Sequence, residues 1–470
     1  MRDSATASRH YVTPPASAFE LVVTGAIPAA TLVDLLLRPQ GSSGALAGTL
    51  VVFLFLHYRH INRGVQRTSL LLAFALLLLL PGLDQPWQTM EQGVRIGGLV
   101  ASLLVSVNLL SRAAGRVQHV REVLQTLYQT PSRSRYFRLS VASQFFGGLL
   151  GLAGIAMMME TAASQNDAEA SEQLSSFCAI ARGYSALSLW SPLYSNMSIV
   201  LGLYPGASWA GMLPMALGVT ALFIAVGTAM NRLARGAKSS AIDARHVPAR
   251  ELMQLGAPLG AAMLAFMALL VVLSLWLHWP ITAVIIMITP LGAWLINACI
   301  GQHGAKGLNA GIRMLCSDMA GFRNMSSEVM MFLASGCAGT VIAGSIPDAW
   351  TSQVGAWVSG SPILACFALS ALIVLLCAAA IHPMLCAVIV GSSLDPITLG
   401  LPLPVHLTAL LVGWGLAITI TPFSVLSLMA SRWSGVPVLT ISLRANGWFV
   451  TLALLVSSVL LGALASFTGQ

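Results

Sequence analysis

The chain has 470 residues, 56% hydrophobic and 9% charged, with 42 glycines and 22 prolines. Its mean hydropathy is +0.81. A soluble globular protein carries about a quarter charged residues, so that class is excluded, and no stretch is long and polar enough to form an independent soluble domain. The 24 basic and 16 acidic residues leave a net charge of +8. Because the basic residues mostly fall between apolar runs, the excess reads as membrane topology and not as nucleic-acid binding.

Residues 1–17 are polar with two arginines and no short apolar core, which argues against a removable signal peptide. Apolar runs follow at 20–37, 44–57, 68–83, 95–111, 139–159, 174–203, 208–230, 252–277, 280–300, 325–346, 362–392, 403–430 and 445–467. They predict an all-α polytopic membrane protein of about 10–13 transmembrane or re-entrant segments. Arg59, Arg63 and Arg67 form one basic connection, and the segment 112–138, with six arginines, forms another. Both read as cytoplasmic in a bacterial-type inner membrane protein. A third basic connection carries Arg232, Arg235, Lys238, Arg245 and Arg250, and a weaker fourth Lys306, Arg313 and Arg323. Acidic connections hold Asp84 and Glu91, and Asp167, Glu169 and Glu172. Trp276, Trp279 and Trp350 lie near run ends, where amphipathic rings favour the headgroup region. The seven cysteines show no metal or disulfide spacing and are expected as small core residues.

Two runs are interrupted. Ser191-Pro192-Leu193-Tyr194-Ser195-Asn196-Met197-Ser198 breaks the first half, and Thr421-Pro422-Phe423-Ser424-Val425-Leu426-Ser427 breaks the second. Unsatisfied backbone groups cost several kcal/mol in hydrocarbon, so a broken helix persists only inside protein or beside a wet cavity. Half-helix N-termini there attract an anion and unwound carbonyls suit a small cation. The alternative is a proline kink satisfied by neighbouring helices. An offset of 230 residues pairs Pro192 with Pro422, Gly183 with Gly413, Tyr184 with Trp414 and Ser191 with Thr421, an ungapped internal echo. A different offset pairs Phe137-Arg138 with Phe322-Arg323, each ahead of a segment of mixed small and polar residues. These segments are Leu139 to Met159, with Ser140, Ser143, Gln144 and Gly147-Gly148, and Asn324 to Ser345, with Ser326, Ser327 and Glu328. Each is a candidate re-entrant hairpin or a tightly packed ordinary helix. The division that follows is 1–111 scaffold spans, 112–231 first repeat half, 232–323 central basic connection and scaffold, and 324–470 second repeat half.

With SPLYSNMS and TPFSVLS in place, the chain resembles the ion transporter superfamily of divalent-anion, citrate, arsenite and tripartite-carboxylate permeases. The second motif lacks the asparagine of the first. The resemblance implies two repeats, each with a hairpin and a broken helix, and an elevator-like secondary carrier of a small, organic anion coupled to Na+ or H+, with no other cofactor. Beyond the bilayer and the anion it implies no partner except, as an open option, a second copy of the chain. The substrate candidates are Ser191, Ser195, Asn196, Ser198, Thr421, Ser424, Ser427 and Arg182, whose guanidinium suits a carboxylate. Glu328 with Ser327, Asn196 and His382 are the candidates for the coupling ion or proton, since ionisable groups inside spans are functional candidates by default. Inverted repeats place the connection 112–138 and its second-half counterpart, 301–323, on opposite sides, yet both are basic. A miscounted run, a surface helix or parallel repeats would each account for this. No phosphate-binding loop, HExxH or nucleophile elbow is present. Two rival readings stay open: a membrane-embedded lipid-linked glycan or phospholipid transferase, and a non-catalytic membrane subunit docking a partner through the central basic connection.

Overall fold

The computed structural model describes residues 17–39, 41–128, 132–164, 170–204, 206–235, 249–301 and 305–468. Asp167, Glu169, Lys238 and Arg245 of the connections above lie outside the described residues. The described chain is helical without strands. In order the helices are α1 (Ala18–Leu36), α2 (Ser42–Leu56), α3 (Arg63–Leu79), α4 (Pro86–Gly115), α5 (Gln118–Tyr128), α6 (Ser132–Ala163), α7 (Ala170–Leu187), α8 (Ser195–Leu203), α9 (Trp209–Arg235) and α10 (Ala249–Leu277). They continue as α11 (Ile281–Gly301), α12 (Ala305–Ala320), α13 (Ser326–Gly344), α14 (Asp348–Val358), α15 (Pro362–Ala378), α16 (Pro383–Ser393), α17 (Leu403–Ile420), α18 (Val425–Ser434) and α19 (Gly447–Thr468). Among the described residues ten helical stretches are long and apolar enough to cross a bilayer. The protein is an all-α polytopic membrane protein with broken helices, as its composition predicts.

One of the ten, Ser134–Ala163, does not cross in a single pass. Gly151 sits at φ 56°, ψ −143°, a region that only glycine enters without strain. The chain folds back there. The Tyr128 hydroxyl, ahead of α6, donates to the Met158 carbonyl at 2.5 Å. Past α6, Gln173 donates to the Ala163 carbonyl at 3.2 Å while its neighbour Glu172 pairs with Arg135 at 3.6 Å. An unbroken helix would hold Arg135 and Ala163 about 42 Å apart. The segment 132–163 therefore consists of two arms, 132–150 and 152–163, joined at Gly151 (hairpin 1).

The second hairpin is not where the polar residues suggest. Asn324 to Ser345 forms a short 3-10 turn and then the continuous helix α13. Its small residues serve close helix packing: Gly93 of α4 meets Cys337, Gly97 meets Leu333, and Thr340 donates to the Thr89 carbonyl at 3.2 Å. The hairpin lies instead at α15 and α16, which pack together across a turn at Ala379 to His382, where Ala380 has φ 72° (hairpin 2).

This location restores one offset to the whole repeat. Adding 230 carries hairpin 1 onto 362–393, α5 onto α14, α7 onto α17 bar its first turns, and α8 onto α18 to within a residue. Matching bonds confirm it: Ser140 Oγ donates to the Ala179 carbonyl at 3.1 Å, and Ser370 Oγ to the Ala409 carbonyl at 2.7 Å. Gly183 and Gly413 occupy the same place in each repeat, where an added Cβ would fall within 3 Å of Ser140 or Ser370 backbone. Because residue numbers rise along α4 as they fall along its image α13, the two repeats are inverted.

Inversion also settles the basic connections. The counterpart of 112–138 is 342–368, which holds Asp348 and no Lys or Arg, whereas 301–323 precedes α13 at the same end as the close of α4. Arg116 of α4 grips buried Asp318 of α12 with both terminal nitrogens, at 2.8 and 2.5 Å. Likewise the Asn62 amide at the start of α3 donates to Ser327 Oγ at the start of α13. Arginines 59, 63, 67, 112, 116, 313 and 323 thus gather at one end of the bundle. At the other end a partly exposed Arg95 ties α1 to α4 through Asp34 (3.2 Å) and also pairs with Glu91 of its own helix (2.8 Å).

Candidate functional site

The site grows from the crossing of α7 with α17. Ser185 Oγ of α7 donates to the Gly415 carbonyl of α17 at 2.6 Å. These residues are 230 apart, so each repeat touches its own image and the pseudo-two-fold axis passes between them. Beyond the crossing each helix breaks. The short helix past each break packs on the other repeat: α8 on α16 and α17, α18 on α6 and α7. Pro192 and Pro422 each lie seven positions from the axis, about 10 Å along a helix. The breaks flank the crossing and do not coincide. Beside the second break a void of about 10 Å³ is lined by Cys178, Ala181, Thr419, Leu426, Ser427 and Asn446. A cleft of about 430 Å³ lies elsewhere, around Leu78, Gly82 and Gly344 to Asp348.

The two breaks differ chemically. In the first, Asn196 Nδ2 donates to the unwound Ser188 carbonyl at 3.1 Å and its Oδ1 accepts from the Met197 amide at 2.9 Å, which fixes the kink. The N-cap residue Tyr194 offers no side-chain cap to α8, and of its first amides that of Met197 is taken by Asn196. Ser191 and Ser198 are fully buried and their hydroxyls have no protein partner. Ser195 is half-buried at the first position of α8. The first break thus keeps two buried hydroxyls without a protein partner beside a helix start. In the second break the serines satisfy one another. Ser424 Oγ accepts from the Ser427 amide at 3.1 Å, and Ser427 Oγ donates to the Thr421 carbonyl at 3.2 Å. Leu426 stands where the first repeat has Asn196.

Hairpin 1 braces the first break. Gln144 donates to the Gly183 carbonyl and its Oε1 accepts from Trp190 Nε1 at 2.9 Å, while Trp209 Nε1 holds the Trp190 carbonyl at 2.8 Å. Hairpin 2 presents His382 at its turn; the ring packs edge-on to Phe332 at 5.7 Å and Nδ1 is buried without a partner.

Arg182 is buried among protein acceptors. Nε donates to Asn446 Oδ1 at 2.9 Å, Nη1 to the Tyr136 hydroxyl at 3.0 Å and Nη2 to the Ala445 carbonyl at 2.6 Å, and the guanidinium lies over Phe449 at 4.6 Å. All three nitrogens are engaged, so it fastens hairpin 1 to the turn before α19. Among the described residues no carboxylate lies within 4 Å of it, which leaves a buried positive charge without a counter-ion beside the second break. Glu328 is not brought to either break: it is exposed in the first turn of α13, at the basic end, next to Ser327.

The sequence reading missed Gly151, Ser185, Tyr136, Asn446 and the second hairpin. The 230 offset, extended upstream from the prolines, would have found the hairpin through Phe137/Phe367, Leu139/Leu369 and Ser140/Ser370. Nothing local announces Asn446, which meets Arg182 across 264 residues.

No protein-family model and no curated protein matches the chain. Among solved structures the chain is similar to the YdaH transporter of Alcanivorax borkumensis, described as having an unusual topology. The similarity spans 85% of this chain and 98% of that one, with a TM-score of 0.53 and 17% identity. MtrF of Neisseria gonorrhoeae, from a class of antimetabolite efflux pumps, aligns over 76% of this chain and 80% of its own, with a TM-score of 0.47 and 12% identity. The fold is one used by a membrane transporter.

Proposed function

We propose that the protein is a secondary active transporter of a small organic anion, of the ion transporter superfamily type, in a bacterial-type cytoplasmic membrane with the arginine-rich end facing the cytoplasm. The observation that carries this is the pair of hairpin and broken-helix units related by inversion and interlocked at Ser185 and Gly415. Interrupted helices at corresponding places in two inverted halves are the architecture of a central solute site. The anionic character of the solute rests on the start of α8 with Ser191 and Ser198, and on the field of Arg182, which has no buried counter-ion.

On this reading the α8 amides and the two serines bind the anion, Asn196 holds the unwound backbone, and the second break and hairpin 2 close over the site. Na+ at unwound carbonyls or a proton on His382 supplies the coupling; no covalent chemistry is required. The test is uptake into proteoliposomes of candidate mono- and dicarboxylates under imposed Na+ or pH gradients. Gradient-driven accumulation of one of them is expected. Flux that ignores every gradient, or no flux of any, would overturn the reading.

A further inference from the structure

At the end of the bundle opposite the arginines, three elements of the interlocked unit are joined through one ring. His406, on the first turn of α17, is fully buried. Its Nε2 lies 2.7 Å from the hydroxyl of Tyr204, which follows α8, and that hydroxyl donates in turn to the Gly391 carbonyl near the end of hairpin 2. A phenol has one proton, so with Gly391 taking it the imidazole must be the donor to Tyr204 and Nε2 carries the ring proton. Nδ1 is then a bare lone pair, buried and without a donor.

The titratable groups around it are few. Asp395, four residues beyond Gly391, is exposed in the loop before α17 and exerts its charge on His406. Burial works against its ionisation, but bonds from the Thr398 hydroxyl (2.6 Å) and amide (2.8 Å), a backbone bond from Ile397 and the neighbouring His406 hold its carboxyl below the ordinary range. Cys366 of α15 and Cys386 of α16 lie in the apolar cluster that also holds Val405 and Leu407. α19 carries no titratable side chain, α9 carries its arginines at the basic end, and α7 crosses α17 nine positions further on.

We propose that Nδ1 of His406 is a proton-binding site, loaded from the end opposite the arginines, whose occupancy releases the Tyr204 tie between hairpin 2 and the broken helices. The proposal rests on the carrier reading for its purpose but not for its chemistry. A proton arriving on Nδ1 makes an imidazolium with a second N–H and no acceptor inside the sealed joint. The ion is satisfied only when the joint opens to water or brings Asp395 to the ring. The proton therefore binds the opened arrangement more tightly, and by linkage it shifts the population toward it.

The test is amide hydrogen exchange over 383–393 in the full chain in nanodiscs, corrected for intrinsic rates, at pH 8 and pH 5. The wild type is expected to exchange at least tenfold faster at pH 5. His406→Gln, which keeps a side-chain N–H for Tyr204, should stay slow at both, and Tyr204→Phe should be fast at both. A wild type without the rise, or a His406→Gln protein that retains it, overturns the proposal. Should His406→Gln fail to fold, 15N-histidine-labelled wild type decides: Nδ1 of His406 gaining a proton together with the exchange rise supports the site, and Nδ1 staying bare to pH 5 overturns it. Solute uptake is scored separately, so loss of the carrier reading and loss of the proton site give different results.

Discussion

Replacing Arg182 with Gln separates its two roles. The guanidinium makes three hydrogen bonds to buried acceptors, each worth about 1.5–3 kcal/mol from a charged donor, so the variant should lose several kcal/mol of stability. Its electrostatic role is calculable. Ser191 is nine positions along, about 14 Å at 1.5 Å per residue. Two unit charges at that separation interact by about 1.2 kcal/mol at an effective dielectric of about 20. Neutralising the arginine should therefore weaken anion binding about eightfold. Arg182→Lys should keep the affinity while losing much of the stability, because it retains the charge and forfeits the planar fork. The assay is calorimetric titration of purified protein with whichever carboxylate most raises the wild-type melting temperature, at low and physiological salt; burial should make the salt effect small. A folded Arg182→Gln protein that binds within twofold of wild type would refute the field argument and return Arg182 to a fastener alone.

Other outcomes follow from the same geometry. Ser424→Ala removes an N-cap and should cost about 1 kcal/mol in thermal unfolding, whereas Ser198→Ala breaks no bond, should leave the melting temperature unchanged, and should weaken anion binding. Gly183→Ala and Gly413→Ala should each cost about 1–3 kcal/mol by overpacking, while Gly218→Ala on α9, with nothing within 4 Å, should cost none, as detergent thermal-shift measurements would show. Gly151→Ala forces a side chain into the turn of hairpin 1 and should cost about 1–3 kcal/mol by the same measurement. Asp395 has a folded-state carboxyl held below its unfolded value, so its contribution is intact above the ordinary carboxylate range and is lost as pH falls through the depressed value. Acid melting curves of Asp395→Asn should therefore differ from wild type at neutral pH and converge with it in strong acid.

The breaks were legible in the sequence because a proline beside serines cannot sit in an unbroken lipid-facing helix without leaving backbone groups unpaired, and their common offset was legible with them. The first hairpin was legible through its glycines and polar residues. The second was not, since its turn is Ala379-Ala380-Ile381-His382, which carries too little polarity to distinguish it from an uninterrupted span. Polarity instead drew attention to α13, where serines and glycines exist to let α4 approach. The anion-favouring features were half visible: Arg182 stands out in its run, but its acceptors come from Tyr136 and from 445–446, which only tertiary structure assembles. His406 gave no sign, because a lone histidine at the head of a span becomes meaningful only when Tyr204 and Gly391 arrive from elsewhere.

The bond between Ser185 and Gly415 also bears on how the two halves can diverge. Away from the axis equivalent posts can hold different side chains, as Asn196 and Leu426 do. At the axis a change in one half alters the surface its twin must fit, so the pair is under joint constraint. A hydroxyl on one side and a bare backbone on the other is an asymmetric solution to a symmetric problem: two serines there would collide, and two glycines would forgo the bond across the axis.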